Sequence, residues 1–265
     1  MDSTNARARV VRVAAFSGLL PAAGEARGLD SDAGRSGSGE DAPMNINADL
    51  GQPALANIDE LPWQDSPTPG IARRMLDRDG GEVARATSVV RYDAGGAFPG
   101  HEHALGEEFL VLAGVFQDEH GDYPAGTYVR NPPGSYHEPR SEAGCTLFVK
   151  LRQFDPADLA RVRINTRARP LVADEHGWAR GELHRYGSET VSILRIRPDA
   201  PPRDLTWPEG AEFLVLDGVL EDDRGSYPAG TWLRLPAGSR QQGVAAPEGV
   251  RCYLKTGHLP PSQSA

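Results

Sequence analysis

The chain has 265 residues, 39% of them apolar, and a formal net charge of -9. That length supports one or two cores, and two domains of about 100 residues each fit it. The acidic balance argues against nucleic acid or an anionic membrane surface as partner, and no apolar run is long enough to span a bilayer.

Taken in chain order, residues 1–43 are rich in Gly, Ser, Ala and Asp and contain no His or Cys. They read as a disordered N-terminal extension. Arg7, Arg9 and Arg12 beside the mildly apolar stretch 14–20 also sketch a weak secretory signal, but its apolar core is short. Ordered-looking sequence begins at Met44, which is a candidate start of the natural chain. The chain's 30 glycines and 22 prolines, most of them beyond Met44, punctuate short apolar runs, as in an all-β protein of many strands and tight turns. Expected strands in the first half are 86–92, 107–112, 126–130 and 146–151. Asp155 before Pro156 predicts a short helical linker to about Val162.

The second half repeats the first. Residues 70–82 match 177–189, Ser88–Arg91 match Ser192–Arg195, Glu108–Gly114 match Glu212–Gly218, and Tyr123–Thr127 match Tyr227–Thr231. One period is a whole domain, giving domains at 44–154 and 163–258. The run Phe109–Leu112 is apolar on both faces. One face fills a barrel, and the other needs a cover from the partner repeat or from a second chain in a homodimer.

The most informative spacing lies in the first copy. Gly95, His101, His103, Glu107 and Gly114 form one cluster; Gly126, Pro132, Gly134 and His137 form another. On a strand, His101 and His103 point the same way, and Glu107 shares their parity. The Pro132-Pro-Gly134 turn brings His137 in from a neighbouring strand. Three imidazoles and a carboxylate suit one divalent metal: zinc, iron(II), manganese or nickel. In the second copy Leu205, Trp207, Ala211 and Gln241 stand at these four positions, so only the first domain is expected to hold metal. Glu108, the rival carboxylate, has Glu212 as its counterpart and is therefore read as structural.

Other residues are weighed by the same comparison. Only two lysines, Lys150 and Lys255, occur among 28 basic residues, at matched positions, and they read as structural ion-pair formers. Arg91 and Arg130 also have counterparts, Arg195 and Arg234. Asn131 and Tyr136 differ between copies and flank the metal turn, which makes them pocket candidates; His120 reads as a solvated loop residue. Cys145 and Cys252 read as small buried residues of a reducing cytoplasm.

These two motifs resemble those of the cupin superfamily, whose fold is a jelly-roll β-barrel. More closely, Gly106-Glu-Glu-Phe-Leu-Val-Leu-Ala-Gly-Val-Phe116 and the stretch 118–137, with Tyr-Pro-Ala-Gly-Thr at 123–127 and Asn-Pro-Pro-Gly-Ser-Tyr-His at 131–137, resemble the cupin domain of the ChrR anti-sigma factors. The resemblance implies two tandem cupin domains over about 44–258, with zinc as the first choice of metal. One departure is Ser141, where the superfamily motif usually carries Asn. In ChrR proteins a separate helical zinc domain with His and Cys ligands holds the sigma factor; residues 1–43 contain neither residue type, which counts against a direct sigma-factor contact.

Three functions follow as expectations. The resemblance favours a stress-response or small-molecule sensing regulator. The alternative is an iron(II) dioxygenase-type enzyme acting on a small organic substrate, with no separate catalytic residue apparent beyond the ligands. A third is a binding protein in which the metal is structural.

Overall fold

A computed structural model describes residues 44–81 and 83–260. The extension 1–43 expected to be disordered lies outside them. Among the described residues every regular element is a strand. Two barrels repeat the same order, as expected from the duplicated sequence. In the first, Glu107–Asp118 pairs on one edge with Thr127–Asn131 and on the other with Cys145–Leu151, which continues to Arg85–Tyr92 and Ile71–Asp79. In the second, Ala211–Asp222, Thr231–Leu235, Val250–Thr256, Glu189–Ile196 and Trp178–Tyr186 do the same. A small two-stranded ribbon completes each barrel: His101–His103 with Ser135–His137, and Arg203–Trp207 with Ser239–Val244.

The linker is not helical. Asp155 closes a turn, its side chain accepting from Ala157 N at 2.8 Å and its carbonyl from Asp158 N at 2.9 Å. The chain then forms the strand Val162–Asn165, which pairs with Thr127–Asn131 of the first barrel. Two forces override the local helix signal. Arg130 and His184 fix Asp158, while Val162 and Ile164 alternate into an apolar cluster between the barrels. The mirror image occurs at the other end. Ala54–Asn57, which precedes the first barrel, pairs with Thr231–Leu235 of the second. Each barrel therefore receives an edge strand from the segment leading into the other.

Alternation along Phe109–Leu112 separates two cores. Phe109 and Val111 face the inside of the first barrel with Phe116, Val129, Leu147 and Val149. Leu110 faces the second barrel, in a cluster that joins Leu76, Val89 and Phe148 to Val191, Ile193, Trp232 and Tyr253. The cover for the second apolar face is thus the partner repeat. Cys145 and Cys252 are both buried and unpaired.

Candidate metal centre

Two glycines set the backbone of the site. Gly106, at φ +76°, turns the chain between His103 and Glu107; a Cβ there would meet the Phe154 ring at 2.5 Å. Gly134, at φ +79°, closes the turn that starts Ser135–His137, and its N–H donates to His103 O at 2.9 Å. Pairing of Ser135 with His103 and of His137 with His101 then puts the imidazoles on one face of the ribbon.

The four side chains converge. Ligand atoms of His101, His103, Glu107 and His137 all lie within 4.8 Å of one another. Ring centroids are 5.0 Å apart for His101–His103 and His101–His137, and 4.6 Å for His103–His137. His103 and His137 are buried and His101 is half-buried, leaving the centre one open side.

Hydrogen bonds around the ring set the tautomers. His101 Nδ1 lies 2.9 Å from Pro99 O, a carbonyl that only accepts, so Nδ1 carries the proton and Nε2 the lone pair. Ser135 donates its hydroxyl proton to Pro132 O at 2.6 Å, so its Oγ accepts from His103 Nδ1 at 3.0 Å. That again leaves Nε2 as the lone pair. His137 Nδ1 faces the Asp118 carboxylate at 3.6 Å, which favours a proton on that nitrogen. Asp118 is held in turn by Tyr123 OH at 2.9 Å and by His120 N at 2.8 Å.

This arrangement fits a cation. His103 Nε2 and His137 Nε2 are buried with no hydrogen-bond partner, a costly state for an imidazole nitrogen. They stand 3.2 and 3.5 Å from Glu107 Oε2, so lone pairs face a carboxylate across a short gap. A metal ion bound by all four resolves both problems. Burial by itself would raise the Glu107 carboxyl, but positive charge on His103, His137 and His101 outweighs it and holds it at about 2, so the carboxylate draws either protons onto these rings or a cation in their place. Burial lowers His101 more than its contact with Pro99 O raises it. In His137 burial also lowers the imidazole, but Asp118 and Glu107 win and the net shift is upward.

Asn131 is buried beside the centre, its Nδ2 donating to Glu107 Oε2 at 3.2 Å. Tyr136 is not brought to the cluster. It sits opposite Glu102 on the outer side of the ribbon, exposed, with its OH donating to Glu138 Oε1 at 3.1 Å. Glu108 points the opposite way from Glu107, into the interface between barrels, where Tyr128, Arg130 and Lys255 surround it. His120 is a half-exposed loop residue beside Glu119.

Ser135 and Asp118 are the functional positions that sequence reasoning missed. Both have counterparts in the second barrel, Ser239 and Asp222, so the repeat comparison gives no signal for them. In that barrel Asp222 accepts instead from Gln241 Nε2 at 2.9 Å, and Gln241 Oε1 from Trp207 Nε1 at 2.8 Å. The register is otherwise kept: Leu205 lies opposite Gln241, and Trp207 opposite Ser239. A second acidic and histidine group, Asp158, His184 and Glu189, lies between the barrels. There Arg130 already supplies the positive charge, at 2.5 Å from Asp158 and 2.8 Å from Glu189.

Two jelly-roll barrels in one chain, one of them carrying this ligand set, define a bicupin. The chain belongs to the ChrR cupin-like domain family, whose model matches residues 51–155 and again 159–260. No curated protein matches the sequence significantly. Several solved structures share the fold. One is a Nostoc punctiforme protein with a provisional dioxygenase assignment, at 15% identity and TM-score 0.64, covering 81% of this chain and 85% of that one. Another is the Ylba protein of E. coli, at 18% identity and TM-score 0.62, covering 80% and 93%. A third is Bacillus subtilis oxalate decarboxylase, described for its Mn(II) centres, at 11% identity and TM-score 0.52, covering 80% and 78%. Among the described residues no helix is long and apolar enough to cross a membrane.

Proposed function

We propose that the first barrel binds one divalent metal ion through His101, His103, Glu107 and His137, and that the protein is a cytoplasmic sensing or regulatory protein of the stress-response or small-molecule type. The carrying observation is the pair of buried Nε2 atoms, on His103 and His137, that have no hydrogen-bond partner and stand 3.2 and 3.5 Å from Glu107 Oε2. Zinc is the first choice on the family likeness; the nitrogen and oxygen donor set also accepts iron(II) or manganese. The buried, unpaired Cys145 and Cys252 support a reducing compartment.

When bound, such an ion supplies Lewis acidity and an open coordination position. The chain's own residues fix the geometry. Pro99, Ser135 and Asp118 orient the three imidazoles, and Asn131 orients Glu107. Membership of the ChrR-like family supports sensing over catalysis.

A second reading, an iron(II) dioxygenase-type enzyme, is favoured by one observation: half-buried His101 leaves a side of the centre open to a small organic molecule. Elemental analysis of protein purified without a metal-binding tag, under air and under nitrogen, separates the two when combined with an oxygen electrode. Zinc in both preparations, with no oxygen uptake, is the expected result. Iron retained under nitrogen, with substrate-dependent oxygen uptake, overturns the sensing reading in favour of the enzyme.

A further inference from the structure

The second barrel has lost its ligand set but not its interior space. A cavity of about 310 Å³ opens into it, lined by Trp178, Arg180, Leu194, Leu205, Trp207 and Leu254. Leu205 and Trp207 are the residues that replace His101 and His103, so the cavity borders two of the four positions that hold ligands in the first barrel and opens outward past Val172 and Ala173. The volume is at the lower end of those that hold small organic ligands, about 300–1,000 Å³.

The lining defines the chemistry of an occupant. Both indole N–H groups are used inside the protein: Trp207 Nε1 donates to Gln241 Oε1 at 2.8 Å and Trp178 Nε1 to Pro201 O at 3.4 Å. The two rings therefore offer the cavity apolar surface only. Asp174, also at the wall, is neutralised by Arg203 at 2.7 Å. Arg180 is different. Its Nε donates to Ser192 Oγ at 2.8 Å, and no carboxylate of the described residues lies within 4 Å of its guanidinium. Its terminal nitrogens remain available for an anion. The matching position of the first barrel is also arginine, Arg73, opposite Val90 as Arg180 is opposite Leu194. What differs between the barrels is the ligand strand, imidazole in one and apolar in the other.

We infer that the second barrel is a binding site for a small amphipathic monocarboxylate, its aromatic or branched aliphatic body between Trp178, Trp207 and Leu205 and its carboxylate on Arg180. This goes beyond the metal-centre reading and does not depend on it, because no metal ligand takes part. One guanidinium with no carboxylate partner, on a wall whose only other charge is the paired Asp174, selects a single negative charge. An apolar body without the charge forgoes the ion pair with that guanidinium, which solvent already reaches.

The test is calorimetric titration of the full-length protein with naphthalene-2-carboxylate and with its neutral analogue 2-naphthylmethanol. Tryptophan emission is followed in parallel, since Trp178 and Trp207 are two of the chain's four tryptophans. The carboxylate is expected to bind and shift the emission, and the alcohol to bind at least about tenfold more weakly. Arg180→Met, which keeps the stem and removes the charge, should erase that preference while leaving metal content unchanged. Leu205→Phe, which fills the cavity, should weaken both ligands, and it serves as the second variant should Arg180→Met fold poorly. Equal affinity of the two ligands for the unmodified protein, or no carboxylate binding below about 1 mM, overturns the inference. So does loss of carboxylate binding in His103→Ala, which would move the ligand to the first barrel. Loss of metal in His103→Ala with carboxylate binding intact is the expected result. A protein that binds no metal but keeps the carboxylate preference refutes the metal reading alone.

Discussion

Lys150 of the first barrel ends on Glu212 of the second, its Nζ 2.7 Å from both carboxylate oxygens. The reciprocal pair exists too: Lys255 of the second barrel donates to Glu108 of the first at 2.5 Å. The only two lysines of the chain thus cross the interface in opposite directions, and all four side chains are buried. Arg130 reinforces one side through Glu108, Asp158 and Glu189, and Arg234 reinforces the other through Asp77. None of these interface pairs uses a residue of the metal centre.

Removing one partner strands a buried charge. Lys150→Met is expected to cost about 3–5 kcal/mol in urea unfolding, since Glu212 keeps only Trp232 Nε1 and His258. The double variant Lys150→Met/Glu212→Met should recover much of that loss but not all, because Trp232 Nε1 then lacks its acceptor. Strictly additive losses would contradict a paired role.

The same pair shapes the acid limb of stability. Burial raises the Glu212 carboxyl, but Lys150 and His258 outweigh it and hold it well below the ordinary value of 4.5. A carboxylate depressed in the folded state contributes stability that is complete above its unfolded value. That contribution is lost as pH falls through 4.5 toward the lower folded value. Urea midpoints measured from pH 7 to pH 3 should therefore fall more steeply below 4.5 in the natural protein than in the double methionine variant. Parallel curves would refute this assignment.

Ser135 and Asp118 act on the metal through the imidazoles they orient. Ser135→Ala and Asp118→Asn are expected to weaken metal binding by about 10–100-fold without abolishing it, in competition with a chelating dye. His103→Ala should abolish it. An unchanged affinity in Ser135→Ala would show that the Pro132 and His103 contacts do not hold the ring.

Repeat comparison makes the metal centre legible because it isolates what differs. His101, His103, Glu107 and His137 change together in the copy, whereas Glu108 stays, and the two adjacent carboxylates in fact point to opposite sides of one strand. The same comparison is blind to what both copies keep, which is why Ser135 and Asp118 go unnoticed. Non-local pairing is the other hidden feature. Asp155-Pro156 carries a helix-start signal, yet Val162–Asn165 gains an edge of the first barrel, and Ala54–Asn57 an edge of the second. No local pattern encodes a partner more than 100 residues away, as with Ala54 opposite Arg234. Tyr136 shows the limit of adjacency: it neighbours His137 in sequence, but alternation turns it outward.

The second barrel keeps the backbone register of the first, with Leu205 opposite Gln241 as His101 is opposite His137. Restoring the side chains should restore the site. The variant Leu205→His/Trp207→His/Ala211→Glu/Gln241→His is expected to gain a second equivalent of metal, with Asp222 and Ser239 already placed as Asp118 and Ser135 are. Failure to gain metal in a folded variant would show that the loss involves more than the four ligands.

Metal stoichiometry of the chain decides whether the first barrel holds an ion at all. Elemental analysis of untagged protein, with His103→Ala and His137→Ala alongside, should give one divalent ion per chain in the natural protein and none in either variant. A metal-free natural protein, or an ion retained in either variant, would contradict the account.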